Sequence, residues 1–356
     1  MNTPPRPLNA SRRQALARMA LLTGSTGLPW TSALAGTPGR FRMAMSSCVD
    51  QKKEQPIWDQ VMRQAPDLML FGGDNVYSSE QPFSIAALRQ AYAMQAAHAG
   101  FARVRSQIPS MAIWDDHDFG LNDGGADFPH KAASKEVFLD FWQVPADDAR
   151  RQREGLYHAR VWGEAGRRVQ VIMLDGRWFR SRLKPTDQRN APGKERYVPD
   201  EDPGKTMLGP AQWAWLEAQM QVPAEVRVVI SGVQVVALGH GWECWNNFPL
   251  ELARLRRTLR LSAGRAPVVL LSGDRHIGAI YRDVELPGLV EMTSSGITHP
   301  WADAREDGPN RVGDLVTQLH FGQVDVLWDE KRIDLQLVGL QGQRLHGLQM
   351  PLAPNV

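Results

Sequence analysis

The sequence lacks the features that mark disulfide-rich, nucleic-acid-binding and membrane-spanning proteins. Its 356 residues include two cysteines, Cys48 and Cys244, which are too few to build a disulfide framework. The formal net charge of +2 gives no strong field that would attract nucleic acid or an acidic membrane surface. No apolar run reaches the roughly 20 residues that a transmembrane helix needs. We therefore expect no membrane span and no nucleic acid as a stable partner.

A further absence concerns catalysis, because the sequence contains no Gly-x-Ser-x-Gly turn. That turn exposes the nucleophilic serine of many esterases. The chain is therefore a poor candidate for an esterase that uses a Ser–His–Asp triad.

What the sequence does contain indicates a folded α/β protein. Charged residues make up 22%, hydrophobic residues 43%, and twelve tryptophans suit a large rigid core. Short apolar strands alternate with helical patterns, among them a helix predicted over residues 85–104. Alternating apolar residues from Gly322 onward predict antiparallel strands at the end of the chain. With no internal repeat or linker, this pattern predicts two packed mixed β-sheets flanked by helices.

The first 35 residues have the pattern of an export signal. Arg12 and Arg13 precede a weakly apolar run over residues 15–28, and small residues over 33–35 match a signal-peptidase site. The paired arginines resemble a twin-arginine (Tat) signal, and an ordinary Sec signal is the alternative because Ala15 stands where a bulky residue is usual. We expect cleavage near Ala35, the Tat export machinery as a partner, and a single periplasmic or secreted domain over residues 36–356.

Polar side chains follow four short apolar strands, at the point where each strand ends. Because ligands of an α/β sheet gather at the carboxyl ends of its strands, we expect these groups to meet. Carboxylates brought so close together repel one another unless a cation neutralises them. The pattern therefore predicts a metal cluster. The four runs are residues 43–50, 68–75, 112–118 and 270–276.

Taken in order, these motifs resemble the alkaline phosphatase D (PhoD-like) family, a branch of the calcineurin-like metallophosphatases. The resemblance runs from about Arg40 to Trp328 and implies a four-layer αββα sandwich. Its Ser-Cys, Gly-Asp-x-x-Tyr, Trp-Asp-Asp-His-Asp and Ser-Gly-Asp-x-His motifs correspond to residues 47–48, 73–77, 114–118 and 272–276, and residues 174–177 and 240–243 match as well.

The resemblance implies a set of metal ligands. Asp74 corresponds to the carboxylate that bridges two ions, and Cys48 and Tyr77 correspond to the thiolate and phenolate that bind iron. His276 would complete the iron site. The implied cofactor is a dinuclear or multinuclear centre, Fe³⁺ with Ca²⁺, with other divalent metals as alternatives.

Three further ligands follow from the same resemblance. Asp274 would lie close to the iron site or its neighbour, and Asp116 would bind the second ion. His240 follows the strand predicted over residues 226–236, roughly where the superfamily has a late histidine ligand. A structural role for His240 is the alternative.

The resemblance also implies catalytic groups. His117 would donate to the phosphate or the leaving oxygen, and Asp118 would orient its ring. Asn75 stands where some relatives have arginine, which implies a weaker or different contact with phosphate. Arg177 and Arg275 are candidates for phosphate contacts, with a solvated role as the alternative. Asp50, Asn122 and Gln234 are candidates without an assigned role.

The ligand assignment bears on the cysteines. A metal-binding Cys48 is a thiolate and not half of a disulfide, which would leave Cys244 as an ordinary thiol. The competing interpretation is a Cys48–Cys244 disulfide in an oxidising compartment.

These expectations combine into an exported phosphomonoesterase that uses a metal-bridged water or hydroxide. The alternative is a phosphodiesterase acting on polymer or phospholipid head-group esters. A non-catalytic secreted binding protein is less favoured, because it would not need Asp74, Asp116, His117 and His276. A long loop predicted over residues 180–205 is expected to cover the site.

Overall fold

The computed structural model describes residues 39–263 and 266–353, which belong to one compact unit, and the predicted export signal lies outside the described residues. The strands are β1 (Arg40–Ser46), β2 (Leu68–Gly72), β3 (Ser110–Ile113), β4 (His158–Trp162), β5 (Val169–Met173), β6 (Lys184–Pro185), β7 (Tyr197–Val198), β8 (Val226–Ser231), β9 (Val268–Ser272), β10 (Gly278–Arg282), β11 (Val290–Ser294), β12 (Arg311–Val316), β13 (His320–Leu327), β14 (Arg332–Gly339) and β15 (Arg344–Pro351). The helices are α1 (Ile57–Gln64), α2 (Ile85–Ala97), α3 (Ala99–Gln107), α4 (Asp116–Phe119), α5 (Lys131–Phe141), α6 (Ala149–Gln152), α7 (Gly209–Gln219) and α8 (Pro249–Ala263), with a 3₁₀ turn over Trp245–Asn247.

Two mixed sheets form the centre of the fold. The first has the order β15-β14-β13-β1-β2-β3, in which β1, β2 and β3 are parallel. The second has the order β12-β10-β11-β9-β8-β5-β4, in which β5, β8, β9 and β11 are parallel. Helices flank the sheets, so the predicted fold class is confirmed. None of the described helices is long and apolar enough to cross a membrane.

Alternate residues of one strand supply two separate cores. Val228 and Ile230 of β8 belong to the large cluster between the sheets, whereas Val229 belongs to a second cluster. That second cluster includes Trp213 and Leu255, which lie on α7 and α8. This strand is buried on both faces, which explains its continuous run of apolar residues.

Two elements differ from the sequence-based expectation. The helix predicted over residues 85–104 is interrupted at His98, which has an extended backbone (φ −68°, ψ 114°) and whose Nε2 lies 2.8 Å from the carbonyl oxygen of Gln51. The strand predicted over residues 226–236 ends at Ser231. Beyond it, the amides of Val235 and Val236 donate to the Glu291 carboxylate instead of pairing with a strand.

Candidate metal centre

The turns that follow β1, β2, β3 and β9 meet at one edge of the two sheets. Four residues in these turns have left-handed backbone conformations, at φ values of 60° for Cys48, 48° for Asp74, 68° for Asp274 and 55° for His276. Such conformations cost about 1–3 kcal/mol each for residues other than glycine, and they concentrate at functional sites. The sequence therefore accepts strain at the positions where the side chains converge.

Glycines permit the close approach of these turns. A Cβ atom on Gly73 would lie 2.6 Å from the Cβ of Asp115, and Gly73 also has a φ of +109°. A Cβ on Gly273 would collide with the hydroxyl of Ser47. The Gly-Asp pairs at the ends of β2 and β9 therefore have a packing reason as well as a chemical one.

The converging side chains form overlapping groups that have the composition of metal sites. Within each group, one ligand atom per residue lies within 4.8 Å of all the others. Asp74 belongs to three of these groups, so it occupies the position from which one carboxylate can contact two ions. The three are Cys48, Asp74 and His276; Asp74, Asp116 and His117; and Asp74, Asp115, Asp116 and Asp274.

Soft and aromatic donors lie on one side of Asp74. The Sγ atom of Cys48 is 3.6 Å from Asp74 Oδ2, and the Tyr77 hydroxyl is 2.9 Å from His276 Nε2. Burial, together with the negative charge of Asp74, raises the pKa of the Cys48 thiol well above its usual value. Burial also raises the pKa of Tyr77 and lowers that of His276 to about 3. Without a cation, both anionic donors would therefore stay protonated.

The carboxylates on the other side carry more negative charge than the protein compensates. Burial, followed by repulsion from Asp116 and Asp115, raises the pKa of Asp74 well above its usual range. Burial and the same two neighbours raise the pKa of Asp274. Asp115 Oδ2 and Asp116 Oδ1 are buried and have no hydrogen-bond partner among the described residues. Crowded carboxylates with free oxygens suit bound cations, so the donor set fits a metal centre.

Two buried arginines partly offset this negative charge. Arg177 is fully buried, and its Nε lies 2.6 Å from Asp115 Oδ1 while its NH1 lies 2.7 Å from Glu243 Oε2. Arg180 Nε is 2.9 Å from the other oxygen of Glu243. Burial by itself would raise the pKa of Asp116, but His117, Arg177 and the Asp123 amide together lower it to about 2.

A fourth group with ligand spacing, formed by Asp116, Asp123 and Glu243, is already neutralised by protein cations and donors. Glu243 pairs with both arginines described above. Asp123 Oδ2 contacts Arg196 NH1 at 3.0 Å and accepts a 2.7 Å hydrogen bond from the Tyr197 hydroxyl. The Asp123 amide donates to Asp116 Oδ2 at 2.6 Å. The loop predicted over residues 180–205 therefore contacts the site through Arg196 and Tyr197.

His117 lies at the more open side of the cluster. Its ring packs on that of Tyr77 at an interplanar angle of 32°, with centroids 4.1 Å apart, and its Nε2 is 4.0 Å from Asp116 Oδ1. Its Nδ1 is 2.7 Å from the hydroxyl of Ser79, and its amide donates to Asp74 Oδ1 at 3.1 Å. Ser79 therefore holds the ring, while Nε2 has no hydrogen bond within the described part of the chain.

The expectation that Asp118 orients His117 is wrong, because the Asp118 carboxylate contacts other groups. Asp118 Oδ1 accepts the amide of Asp115 at 2.7 Å, which closes a capping box at the start of α4. Its Oδ2 accepts from Asn75 Nδ2 at 2.6 Å and from the Tyr92 hydroxyl at 3.1 Å. The reason is helical geometry, because a side chain one residue after His117 points away from its ring.

Asn75 is likewise held inside the protein instead of facing a phosphate. Its Nδ2 donates to the Ile113 carbonyl at 2.8 Å as well as to Asp118, and the residue is 1% exposed. The side chain therefore fastens the β2 turn to the β3 turn. Both donor hydrogens of Nδ2 are therefore used within the protein.

The family is decided by a match over most of the chain, because residues 43–320 match the model of the PhoD-like phosphatases. The chain belongs to the PhoD-like phosphatase family. This membership makes it a phosphoesterase by family, and it agrees with the resemblance found in the motifs. No curated protein sequence matches the chain.

Two solved structures have the same fold at low sequence identity. A structure of PhoD is 14% identical, with a TM-score of 0.67 over 89% of this chain and 69% of its own. A purple acid phosphatase from yellow lupin (Lupinus luteus) seeds is 10% identical, with a TM-score of 0.54 over 88% of this chain. The match spans 54% of the lupin enzyme, about half its length. These likenesses show the metallophosphatase fold and do not show a substrate.

His240 is the one predicted ligand of this PhoD-like protein that the structure does not bring to the cluster. Its Nε2 is 3.1 Å from Gln234 Oε1, and its Nδ1 accepts the amide of Trp242 at 3.2 Å. Gln234 is fixed in turn, because its amide nitrogen Nε2 donates to the hydroxyl groups of Tyr281 and Thr293. Both ring nitrogens of His240 are occupied, since the strand before it ends early and the loop turns away. The alternative, a structural role, matches these contacts.

The remaining candidate site residues lie in other surroundings. Asp50 Oδ1 accepts the amide of Lys52 in a turn, Asn122 is exposed, and Arg275 pairs with Glu306. Arg177 is also held in ion pairs with Asp115 and Glu243 and is fully buried. Cys48 and Cys244 are both buried free thiols, which contradicts the disulfide interpretation.

Sequence reasoning missed several residues at the site. Asp115 and Glu243 lie in motifs that it matched to the family, so their charges were a usable signal. Ser79 and Asp123 lie in loops where no local pattern marks them. His299 packs against His276 with ring centroids 4.3 Å apart, although it is 23 positions away along the chain.

Proposed function

We propose that this protein is an exported, metal-dependent phosphomonoesterase. The observation that carries the proposal is Asp74, a buried carboxylate shared by three ligand groups in a chain of the PhoD-like family. Export is supported by the arginine pair, the apolar run and the small residues within positions 1–35. A periplasmic or secreted location follows from this part of the proposal.

The residues that would hold the metal ions divide by chemistry. Cys48 and Tyr77 would provide an anionic thiolate and an anionic phenolate, and His276 an imidazole, a set suited to Fe³⁺. Asp116 and Asp274 would provide carboxylate oxygens suited to a hard cation such as Ca²⁺. Asp74 would be shared between them. When bound, the metal pair would supply neutralising charge for the phosphoryl oxygens and a water acidic enough to attack phosphorus near neutral pH.

The chain's own part in hydrolysis centres on His117. Its Nδ1 is held by Ser79 and its ring rests on Tyr77, so Nε2 has a fixed direction. Nε2 is the atom that we assign to proton donation toward the leaving alkoxide oxygen, because it has no protein hydrogen bond within the described residues. The buried arginines Arg177 and Arg180 pair with Asp115 and Glu243 and so hold these carboxylates in place.

The proposal is tested by assaying 4-nitrophenyl phosphate and bis(4-nitrophenyl) phosphate on one metal-analysed sample of the exported form. The monoester should be hydrolysed faster than the diester. His117→Asn should lower kcat at least about 100-fold for an alkyl monoester such as glycerol 3-phosphate, whose leaving alkoxide needs a proton, and less for 4-nitrophenyl phosphate. His130→Asn, a change of the same residue type on the surface, is the matched control and should keep the activity. Faster hydrolysis of the diester would favour the phosphodiesterase alternative. Inertness toward both esters with a full complement of metal would overturn the proposal.

A further inference from the structure

Trp301 exposes a large aromatic surface beside the candidate metal centre. It is 41% exposed, and it is the one aromatic residue among the large hydrophobic side chains that stay exposed in the described ranges. Single exposed apolar residues are common and need no explanation by themselves. What distinguishes Trp301 is how its loop is attached.

The loop that carries Trp301 is tied to two turns of the metal centre. The Trp301 amide donates to the carbonyl oxygen of His276 at 2.7 Å. Three residues earlier, the Thr298 hydroxyl donates to the carbonyl oxygen of Cys48 at 2.9 Å and accepts the Asp50 amide at 3.0 Å. The loop is therefore fixed to the turns that present two predicted ligands.

The middle of this loop packs on His276 and on a further predicted ligand, Tyr77. His299 lies with its ring centroid 4.3 Å from that of His276 and 5.0 Å from that of Tyr77. The Thr298 hydroxyl also contacts His299 Nδ1 at 2.7 Å. Trp301 thus follows a segment that cannot move without disturbing the centre.

A second tryptophan supports the exposed one. The ring of Trp242 meets the ring of Trp301 at 89°, with centroids 5.9 Å apart. Trp242 is held by the guanidinium groups of Arg275 and Arg196, at 4.7 Å and 5.0 Å from its ring centroid. Trp301 is therefore oriented in advance while its surface stays open, an arrangement that reduces the entropy lost when a ligand binds.

We propose that Trp301 is a stacking platform for a planar aromatic ring in the alcohol part of the substrate, such as the base of a nucleotide. This inference rests on the proposed phosphoesterase function and names the class of ester. Pro300 and Ala302, on either side, have no polar side-chain group. Sugar hydroxyls would find no partner on them, whereas an aromatic ring needs only the indole face.

The test compares adenosine 5′-monophosphate with ribose 5-phosphate, because both esters break a bond to a ribose 5′-oxygen and their alcohols differ by the base. We expect the native protein to have the higher kcat/KM for the nucleotide. Trp301→Leu, which keeps apolar bulk without an aromatic face, should lower the ratio of the two kcat/KM values about tenfold, mainly through KM. Trp301→Phe should retain most of the ratio, and it also serves if the leucine variant is poorly folded.

The matched control is Trp162→Leu. Trp162 lies on the edge strand β4, its ring packs near that of Phe41, and the Arg160 guanidinium lies 4.4 Å from its ring centroid. This variant should keep the native ratio. Native hydrolysis of both esters at a ratio that Trp301→Leu leaves unchanged would overturn the stacking role while the proposed function stands. If Trp301→Leu lowered kcat/KM for glucose 6-phosphate as much as for the nucleotide, the assignment to an aromatic ring would be overturned. Hydrolysis of no ester at all would instead remove the proposed function, and this inference with it.

Discussion

Arg177 Nε lies 2.6 Å from Asp115 Oδ1, and the two side chains are 0% and 2% exposed. Removing one member of a buried ion pair leaves the other charge without compensation. We expect Arg177→Met to lower the free energy of unfolding by about 3–5 kcal/mol. Urea denaturation at matched metal content measures this change.

A surface ion pair provides the control for that prediction. Arg168 and Glu225 are 2.7 Å apart, with side chains 29% and 28% exposed. Arg168→Met should lower the free energy of unfolding far less than Arg177→Met, because solvent screens a pair at the surface. Equal losses for the two variants would show that burial of the Arg177 network contributes nothing.

The second prediction separates the roles of Ser79 and Asp118. Ser79→Ala removes the contact to His117 Nδ1, so kcat should fall about 10–100-fold with little change in stability. Asp118 accepts from four donors, which are the backbone amides of Asp115 and Asn75, Asn75 Nδ2 and the Tyr92 hydroxyl. Asp118→Asn puts an amide among these donors, so the free energy of unfolding should fall by about 1–3 kcal/mol. Steady-state kinetics and urea melts on both variants check this. If Asp118→Asn lowered kcat and left the free energy of unfolding unchanged, the expectation from the sequence that Asp118 orients His117 would be supported.

The third prediction concerns the two thiols. Cys48 Sγ lies 3.6 Å from Asp74 Oδ2, whereas Cys244 belongs to none of the ligand groups and its amide donates to Asn247 Oδ1. Cys48→Ser should lose iron and activity, because a hydroxyl is a poor substitute for a thiolate ligand. Cys244→Ser should keep both. Elemental analysis decides, and full iron content in Cys48→Ser would remove the thiolate from the ligand set.

Much of the fold, and the convergence of side chains at the candidate metal centre, could be predicted because the signal is local. Each apolar strand ends in a turn whose glycine, carboxylate or imidazole is adjacent in sequence, as in Gly73-Asp74 and Asp274-Arg275-His276. Parallel strand order then brings these ends together. The contacts of Asp118, Asn75 and His240 could not be predicted, since they depend on which way each side chain points.

Other features were hidden because they arise from tertiary packing. The break at His98 depends on a contact with Gln51, 47 residues away along the chain. Ser79 reaches His117 across two turns that are 38 residues apart. No periodicity in the sequence records such partners, so the orienting serine and the aromatic loop at Trp301 emerge only from the assembled sheets.

The fourth prediction concerns acid stability. His320 is 0% exposed, and burial lowers its pKa to about 4, with the carbonyl of Gln318 2.8 Å from its Nδ1. The fold favours the neutral ring, so this stabilisation is complete above the unfolded pKa of about 6.5 and is lost as the pH falls toward 4.

This one titration should remove about 2 kcal/mol of stability between pH 7 and pH 5. Urea melts across that range should show the loss in the native protein, and His320→Phe should make it smaller by the same amount. Identical pH dependence of the two proteins would mean that His320 does not titrate in this way.

The central claim is that Asp74 and its neighbours hold metal ions on which hydrolysis depends. The most direct test is elemental analysis with a phosphomonoester assay before chelation, after chelation and after metals are restored, on the native protein, Asp74→Asn and Asp283→Asn. Asp283 is a buried carboxylate that pairs with Arg256 away from the cluster. We predict about two metal ions per native chain, reversible loss of activity with the metals, and loss of both only in Asp74→Asn. Full activity in metal-free protein, or native metal content in Asp74→Asn, would contradict the account.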